Sequence, residues 1–332
     1  MKIPCLILCL GAATWGSLIR PQGTEPLRLV QSIPMPSIKG RIDHLSIDLA
    51  NRRIFLAALG NNTVEVLGLV QGSRIKSLEG FQEPQGVAYV PEFNQLVVAN
   101  GEDGVCKFVT ADAFRVAHTL RLAGDADNIR YDSEAKQLFI GYGDGAIAIA
   151  DPASGQLLGD IKLEGHPESF QLEKSGARIF VNVPAGPHVA VIDRRSRTVS
   201  KWQLPAARQN YPMALDEEHG RLFAGCRQPA CVVVFETGSG KVVANVPIAG
   251  DSDDLFYDGV ARRIYASCGE GFISVLEQRD PDHYHVIARI PTAPKARTSL
   301  FVPALKRLYL AVPKQASHEA ELRVYEVQDG GS

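Results

Sequence analysis

The chain has 332 residues, 45% of them hydrophobic, with 30 glycines and 20 prolines scattered without a short period. That excludes collagen-like and low-complexity chains and points to a turn-rich folded protein with a sizeable core. Thirty-five basic against 37 acidic residues leave a formal charge of −2, so a broad electrostatic grip on nucleic acid or an anionic membrane is not indicated, and nucleic acid is not an expected partner.

Lys2 is followed by an apolar run, Ile3 to Leu10, and by the small residues Gly11, Ala12 and Ala13. A positive start, a short apolar stretch and small residues describe a secretory signal peptide. Residues 1–18 are read as the segment removed and 19–26 as a linker. The run is shorter than the ~20 apolar residues a bilayer span needs. No later segment reaches that length, so no transmembrane span is expected. Leu8 is too bulky to precede the cysteine of a lipoprotein box at Cys9, so lipidation is not expected either. The mature chain is expected to be secreted or periplasmic. In such an oxidising compartment Cys226 and Cys231 can close the short loop between them as a disulfide, or stay as buried thiols. Cys106 and Cys268 read as residues of strand cores. No second cysteine pair has the spacing of a metal knuckle.

A five-residue pattern recurs along the rest of the chain, as in Arg53-Ile54-Phe55-Leu56-Ala57, Arg221-Leu222-Phe223-Ala224-Gly225 and Arg263-Ile264-Tyr265-Ala266-Ser267. Its anchors are Ile54, Leu96, Leu138, Ile179, Leu222, Ile264 and Leu308, spaced 41 to 44 residues apart. A period of ~40–45 residues predicts propeller blades, each a four-stranded sheet. Every repeat reads alike. A first strand such as Leu45-Ser46-Ile47 or Leu255-Phe256-Tyr257 precedes a turn often opened by Asp (Asp48, Asp132, Asp216, Asp258), whose side chain bonds turn backbone. The anchor strand follows. Next comes a glycine-rich hairpin turn such as Gly60-Asn61-Asn62 or Gly269-Glu270-Gly271. A third strand such as Val232 to Phe235 leads to a fourth that ends near Leu163 or Val246 in its repeat. No long helix is expected. The seventh repeat runs out after its third strand, Leu322 to Val327. Leu29-Val30-Gln31-Ser32-Ile33-Pro34 matches the fourth strand of the sixth repeat and is expected to complete the last blade. The fold class is therefore an all-β, seven-bladed β-propeller with four-stranded antiparallel blades, one domain over 27–328, with 329–332 as a tail.

Counting back from the anchors compares equivalent positions. Eleven residues before lie Asp43, Gln85, Asp127, Glu168, Tyr211, Asp253 and Arg297; ten before lie His44, Gly86, Asn128, Ser169, Pro212, Asp254 and Thr298. In a propeller both sets reach one rim of the central channel. The rest of each first strand is largely apolar, so polarity is concentrated at the rim. Carboxylates converging from different blades can bind a hard cation such as Ca²⁺ or Mg²⁺, or raise one another's pKa and supply a base. His44 can exchange protons near neutral pH, and Arg297 can grip an anionic group. The plainer reading is solvated turn chemistry, with an Asp43–Arg297 pair closing blade one on blade seven. No cofactor is otherwise expected.

Arg53-Ile54-Phe55-Leu56-Ala57-Ala58 with Gly60-Asn61-Asn62-Thr63-Val64-Glu65-Val66, together with Glu83-Pro84-Gln85-Gly86-Val87-Ala88, resembles the YVTN-type, or YncE-like, family of exported bacterial propellers. The resemblance spans the mature chain. It implies a seven-bladed fold and a periplasmic or surface location, and it assigns no reaction. One branch of that family binds single-stranded DNA; the acidic rim and net acidity depart from such a protein, and that activity is not carried over. The expected function is binding or scaffolding: a small polar ligand or a partner's loop docks over Asp43, His44, Asp127, Glu168, Asp253 and Arg297. The alternative is a lactonase-like hydrolase or lyase using the rim histidine and carboxylates. A monomer is expected.

Overall fold

A computed structural model describes residues 25–328, which form seven four-stranded antiparallel sheets. The expected signal segment and tail lie outside the described residues. In six blades the strands pair in chain order from the channel outward; in blade one they are Leu45–Asp48, Arg53–Ala58, Thr63–Gly68 and Ser73–Leu78. The seventh blade joins the two ends of the chain. Leu27–Met35 pairs antiparallel with Ala320–Val327, from Leu27 opposite Val327 to Met35 opposite Ala320. The closure read from the sequence is therefore present. It removes two unpaired edges that would otherwise template aggregation. Among the described residues the helical content is three 3₁₀ turns, Leu59–Asn61, Pro91–Phe93 and Pro303–Leu305, and no helix is long and apolar enough to cross a membrane.

Burial explains the recurring apolar pattern. The second strand of each blade has a neighbouring blade over both faces, so it reads as a continuous hydrophobic run rather than an alternating one. Ile54, Phe55, Leu56, Ala57 and Ala58 are all fully buried. The outermost strands, such as Ser73–Leu78, are largely exposed. The core divides into seven clusters, one at each interface between adjacent blades. The cluster that seals the ring brings Ile33, Met35 and Leu322 of blade seven against Ile54 and Leu56 of blade one. The aspartates expected to open turns do so: Asp48 accepts from the Asn51 amide at 3.1 Å, and Asp258 from the amides of Val260 and Ala261.

The cysteine pair is corrected in one respect. Cys226 and Cys231 sit directly opposite each other across a hairpin, but both are buried thiols in this structure. The hairpin turns at Arg227–Ala230, so the facing register brings the two side chains together without a covalent bond. The hydrogen bond that Cys226 donates to Cys231 and burial together push the Cys226 thiol up.

Candidate functional site at the channel mouth

The mouth is built where the innermost strands begin. A regular strand turns successive side chains to opposite faces, so two adjacent residues should not share the channel. The chain solves this with a repeated bulge. Register shifts fall between Pro84 and Val87, Ala126 and Ile129, Asn210 and Met213, and Ser252 and Asp254. A bulge inserts one extra residue and re-aims the side chains around it. In blades one and four two adjacent residues are likewise tied to one opposite: Asp43 N donates to the Ala57 carbonyl at 2.7 Å and Ala57 N to the His44 carbonyl at 3.0 Å, and Glu168 N donates to the Asn182 carbonyl at 3.0 Å and Asn182 N to the Ser169 carbonyl at 3.1 Å.

His44 sits at the centre of the site. Its Nε2 lies 3.8 Å from Asp43 Oδ1 and 3.7 Å from Asp127 Oδ1, and its Nδ1 lies 3.6 Å from Asp254 Oδ1. Asp254 is itself fixed, its Oδ2 accepting from the Ser299 amide at 2.7 Å. Burial works against a charged imidazole, but Asp254, Asp43 and Asp127 override it and push His44 up to about 10. These neighbours favour the imidazolium form of His44 near neutral pH.

The carboxylates behave differently from solvated turn residues. Asp43 is 1% exposed and Asp127 6%. Burial pushes Asp43 up to about 7 against the pull of His44 and Arg41. Burial, then Asp127 and Asp253, push Glu168 up to about 8. Asp127 is also raised by burial, with His44 opposing, and its Oδ2 accepts from Asn128 Nδ2 at 3.2 Å. Carboxyl groups held this far from water beside one another are costly to ionise.

Arg297 does not pair with Asp43. Its Nη1 lies 2.7 Å from Asp251 Oδ1 and its Nε 3.0 Å from Asp253 Oδ2. The guanidinium leans back onto blade six because the loop before blade six presents those two carboxylates beside it. Asp43 instead takes Arg41 Nη2 at 2.7 Å. Tyr211 faces the guanidinium of Arg227, 3.9 Å from its ring centre, and Arg227 also binds Asp253. Gln85 lies farther out, donating to Asp125 Oδ1 at 2.8 Å. The structure therefore gathers Asp43, His44, Asp127, Glu168, Asp253 and Asp254 into one charged cluster, with Asn128, Tyr211 and Arg297 as supports and Gln85 on the exposed edge. Among the described residues no three His, Cys, Asp or Glu side chains are set to hold a metal ion.

Three arginines at the candidate site were missed from the sequence. Arg41 lies two residues before the aspartate ring, and Arg227 lies near the end of the second strand of blade five. A comparison restricted to two ring positions could not reach either. Arg130 had a visible signal. Eight residues before each anchor stand Ser46, Ala88, Arg130, Gln171, Ala214, Phe256 and Leu300, and Arg130 is the one charged member. Five of the other six, all but Ala214, line a cavity of about 350 Å³ with Arg130 and His44. Polarity is thus not confined to the rim: Arg130 and Gln171 carry it down into the channel.

No family model matches the sequence, and no curated protein matches it. Among solved structures, a chain of one described as "Crystal Structure of Mitotic Checkpoint Complex" superposes with a TM-score of 0.77 at 15% identity, covering 99% of this chain and 100% of that one. At that identity the likeness establishes the propeller fold and carries no activity with it.

Proposed function

We propose that this protein is an exported binding propeller of the YncE-like kind, which docks a small polar ligand or a partner's loop at the mouth of its channel. One observation carries the reading. Charged side chains from blades one, three, four, five, six and seven converge, largely shielded from water, at one end of a cavity of about 350 Å³. A fold that needed only solvated turns would have no reason to bury carboxylates beside one another, since each raises the cost of ionising the next. The start of the chain, Lys2 to Ala13, supports the exported location. The likeness to a chain of a multiprotein complex fits partner docking, a common use of this fold. In the hydrolase or lyase alternative His44 or a rim carboxylate would be the base; the three carboxylate neighbours of His44 disfavour its uncharged form and leave that role to a rim carboxylate.

The test is a thermal-shift screen of the mature protein against sugar acids, lactones, divalent cations and short peptides. A ligand that binds only the folded state raises the melting temperature. At least one stabilising ligand is expected, with the shift lost in Asp127→Ala and Asp253→Ala. Stabilising hits that survive both substitutions unchanged refute the mouth as the docking site.

A further inference from the structure

We propose that the channel beneath the mouth is a site for a small monocarboxylate, its carboxylate group held by Arg130. The inference rests on the docking reading above and gives it a ligand class.

Arg130 differs from its neighbours. Arg41 is spent on Asp43, and Arg227 and Arg297 on Asp251 and Asp253. Among the described residues Arg130 has no carboxylate within ion-pairing distance. Its Nη1 donates to the Ile129 carbonyl at 2.9 Å and its Nη2 to Ser169 Oγ at 3.3 Å, and its charge lies 5.3 Å from the centre of the Phe170 ring. A guanidinium carries five N–H donors in a planar fork that matches a carboxylate. Two of those donors are spent on the contacts above, and Arg130 lines the cavity. Burial pushes the group below the ordinary arginine range, with Asp254 and Asp127 pulling the other way. A charge left so poorly compensated is costly for a channel that a neutral side chain could line.

The charge balance of the cavity selects the ligand. Its lining holds two cations, Arg130 and His44, and one carboxylate, Asp254. Asp254 is already committed to His44 and to the Ser299 amide. His44 is shared among Asp254, Asp43 and Asp127, so the charge in the lining without a carboxylate at ion-pairing distance is that of Arg130, which a single carboxylate neutralises. A phosphate dianion would leave net negative charge in a desolvated space beside Asp254 and Asp127. Val87, Phe256 and Leu300 offer apolar surface to a hydrocarbon remainder. The volume sits at the lower end of the roughly 300–1,000 Å³ typical of small-molecule sites.

The experiment is isothermal calorimetry with butyrate and benzoate, against butyramide, benzamide and inorganic phosphate as controls, in chloride-free buffer. A charged hydrogen-bonded pair separates acid from amide by at least about tenfold in affinity. The expected result is that a carboxylate binds at least tenfold tighter than its amide and tighter than phosphate. Arg130→Gln should abolish that preference. Ala88→Phe fills the channel without touching the charge; it should block binding, and it carries the test if Arg130→Gln does not fold. No binding by either carboxylate, equal binding by acid and amide, or a preference that survives Arg130→Gln overturns the proposal. The two readings separate cleanly. Hits lost in Asp127→Ala but indifferent to Arg130 keep the mouth and remove the carboxylate site. Carboxylate binding that needs Arg130 but ignores Asp127 and Asp253 does the reverse.

Discussion

His44 of blade one and Asp127 of blade three meet across the channel mouth, Nε2 to Oδ1 at 3.7 Å. The imidazolium is the positive centre that lets Asp43, Asp127 and Asp254 stand together. Replacing it by a neutral group of similar size leaves three carboxylates facing one another. His44→Gln is expected to destabilise the fold by about 2 kcal/mol at pH 7, since removing one partner of a buried charge cluster leaves the rest uncompensated. Urea unfolding measures it. The double variant His44→Gln/Asp127→Asn should recover part of the loss, and strict additivity of the two single effects would count against the pairing.

The raised carboxylates fix a pH dependence. Asp43 and Glu168 hold their protons to about pH 7 and 8 in the folded state, whereas unfolded carboxylates lose theirs near pH 4. Between those limits the native state binds more protons than the unfolded one, so stability falls as pH rises from about 4 to 8. Glu168→Gln removes one of these groups and should flatten the decline, with its gain over the parent growing toward pH 8. Melting temperatures taken at intervals across that range decide the matter; parallel curves for the two proteins would refute the assignment. His44 acts in the same direction over a higher pH window. Its contribution is complete below its unfolded pKa near 6.5 and is lost as pH rises through about 10.

Gly86 positions Asp127 by leaving room for it. A Cβ at Gly86 would stand 1.9 Å from the Asp127 carbonyl oxygen. That contact is backbone and cannot swing aside. Gly86→Ala is expected to cost about 1–3 kcal/mol by overpacking and to weaken any ligand held at the mouth. Chemical denaturation and the thermal-shift screen report the two effects separately.

Ring closure depends on the N-terminal strand. Ile33 is fully buried in the cluster between blades seven and one. Ile33→Ala should lower stability by about 3 kcal/mol, the usual cost of truncating a buried aliphatic side chain. Val30 of the same strand is 39% exposed, and Val30→Ala should change it by less than about 0.5 kcal/mol. Equal effects at the two positions would contradict the closure.

The facing thiols of Cys226 and Cys231 should be the cysteines that respond to oxidant. Thiol–disulfide exchange with oxidised glutathione removes two hydrogens, so the peptide spanning both should lose about 2 Da. Cys106 and Cys268 are pushed up to about 12 by burial and should stay reduced under the same treatment. Mass spectrometry of the digest resolves the four positions.

Much of this was readable in advance because the repeat repeats its physics. Seven copies of an apolar strand need seven pairs of covering blades, and that demand appears in the sequence as a period. The two ring positions were also legible, since equal offsets from an anchor fall at equal heights in a symmetric fold. What failed was the pairing. The plainer reading paired Arg297 with Asp43, but Arg297 binds Asp251 and Asp253 instead, because offsets give height but not the direction a long side chain leans. Arg130 was passed over because its strand reads as apolar on either side, although its ring neighbours are uncharged.

The order of the strands, the number of blades and the joining of the two chain ends follow from spacing and hydrophobic pattern, which local chemistry and burial enforce. Whether Asp43 and Asp127 are wet or dry does not follow. That was decided by bulges that turn neighbouring residues the same way and by the narrowing of seven strands onto one axis. Dielectric environment is a property of what surrounds a charge in space, and no single strand contains it.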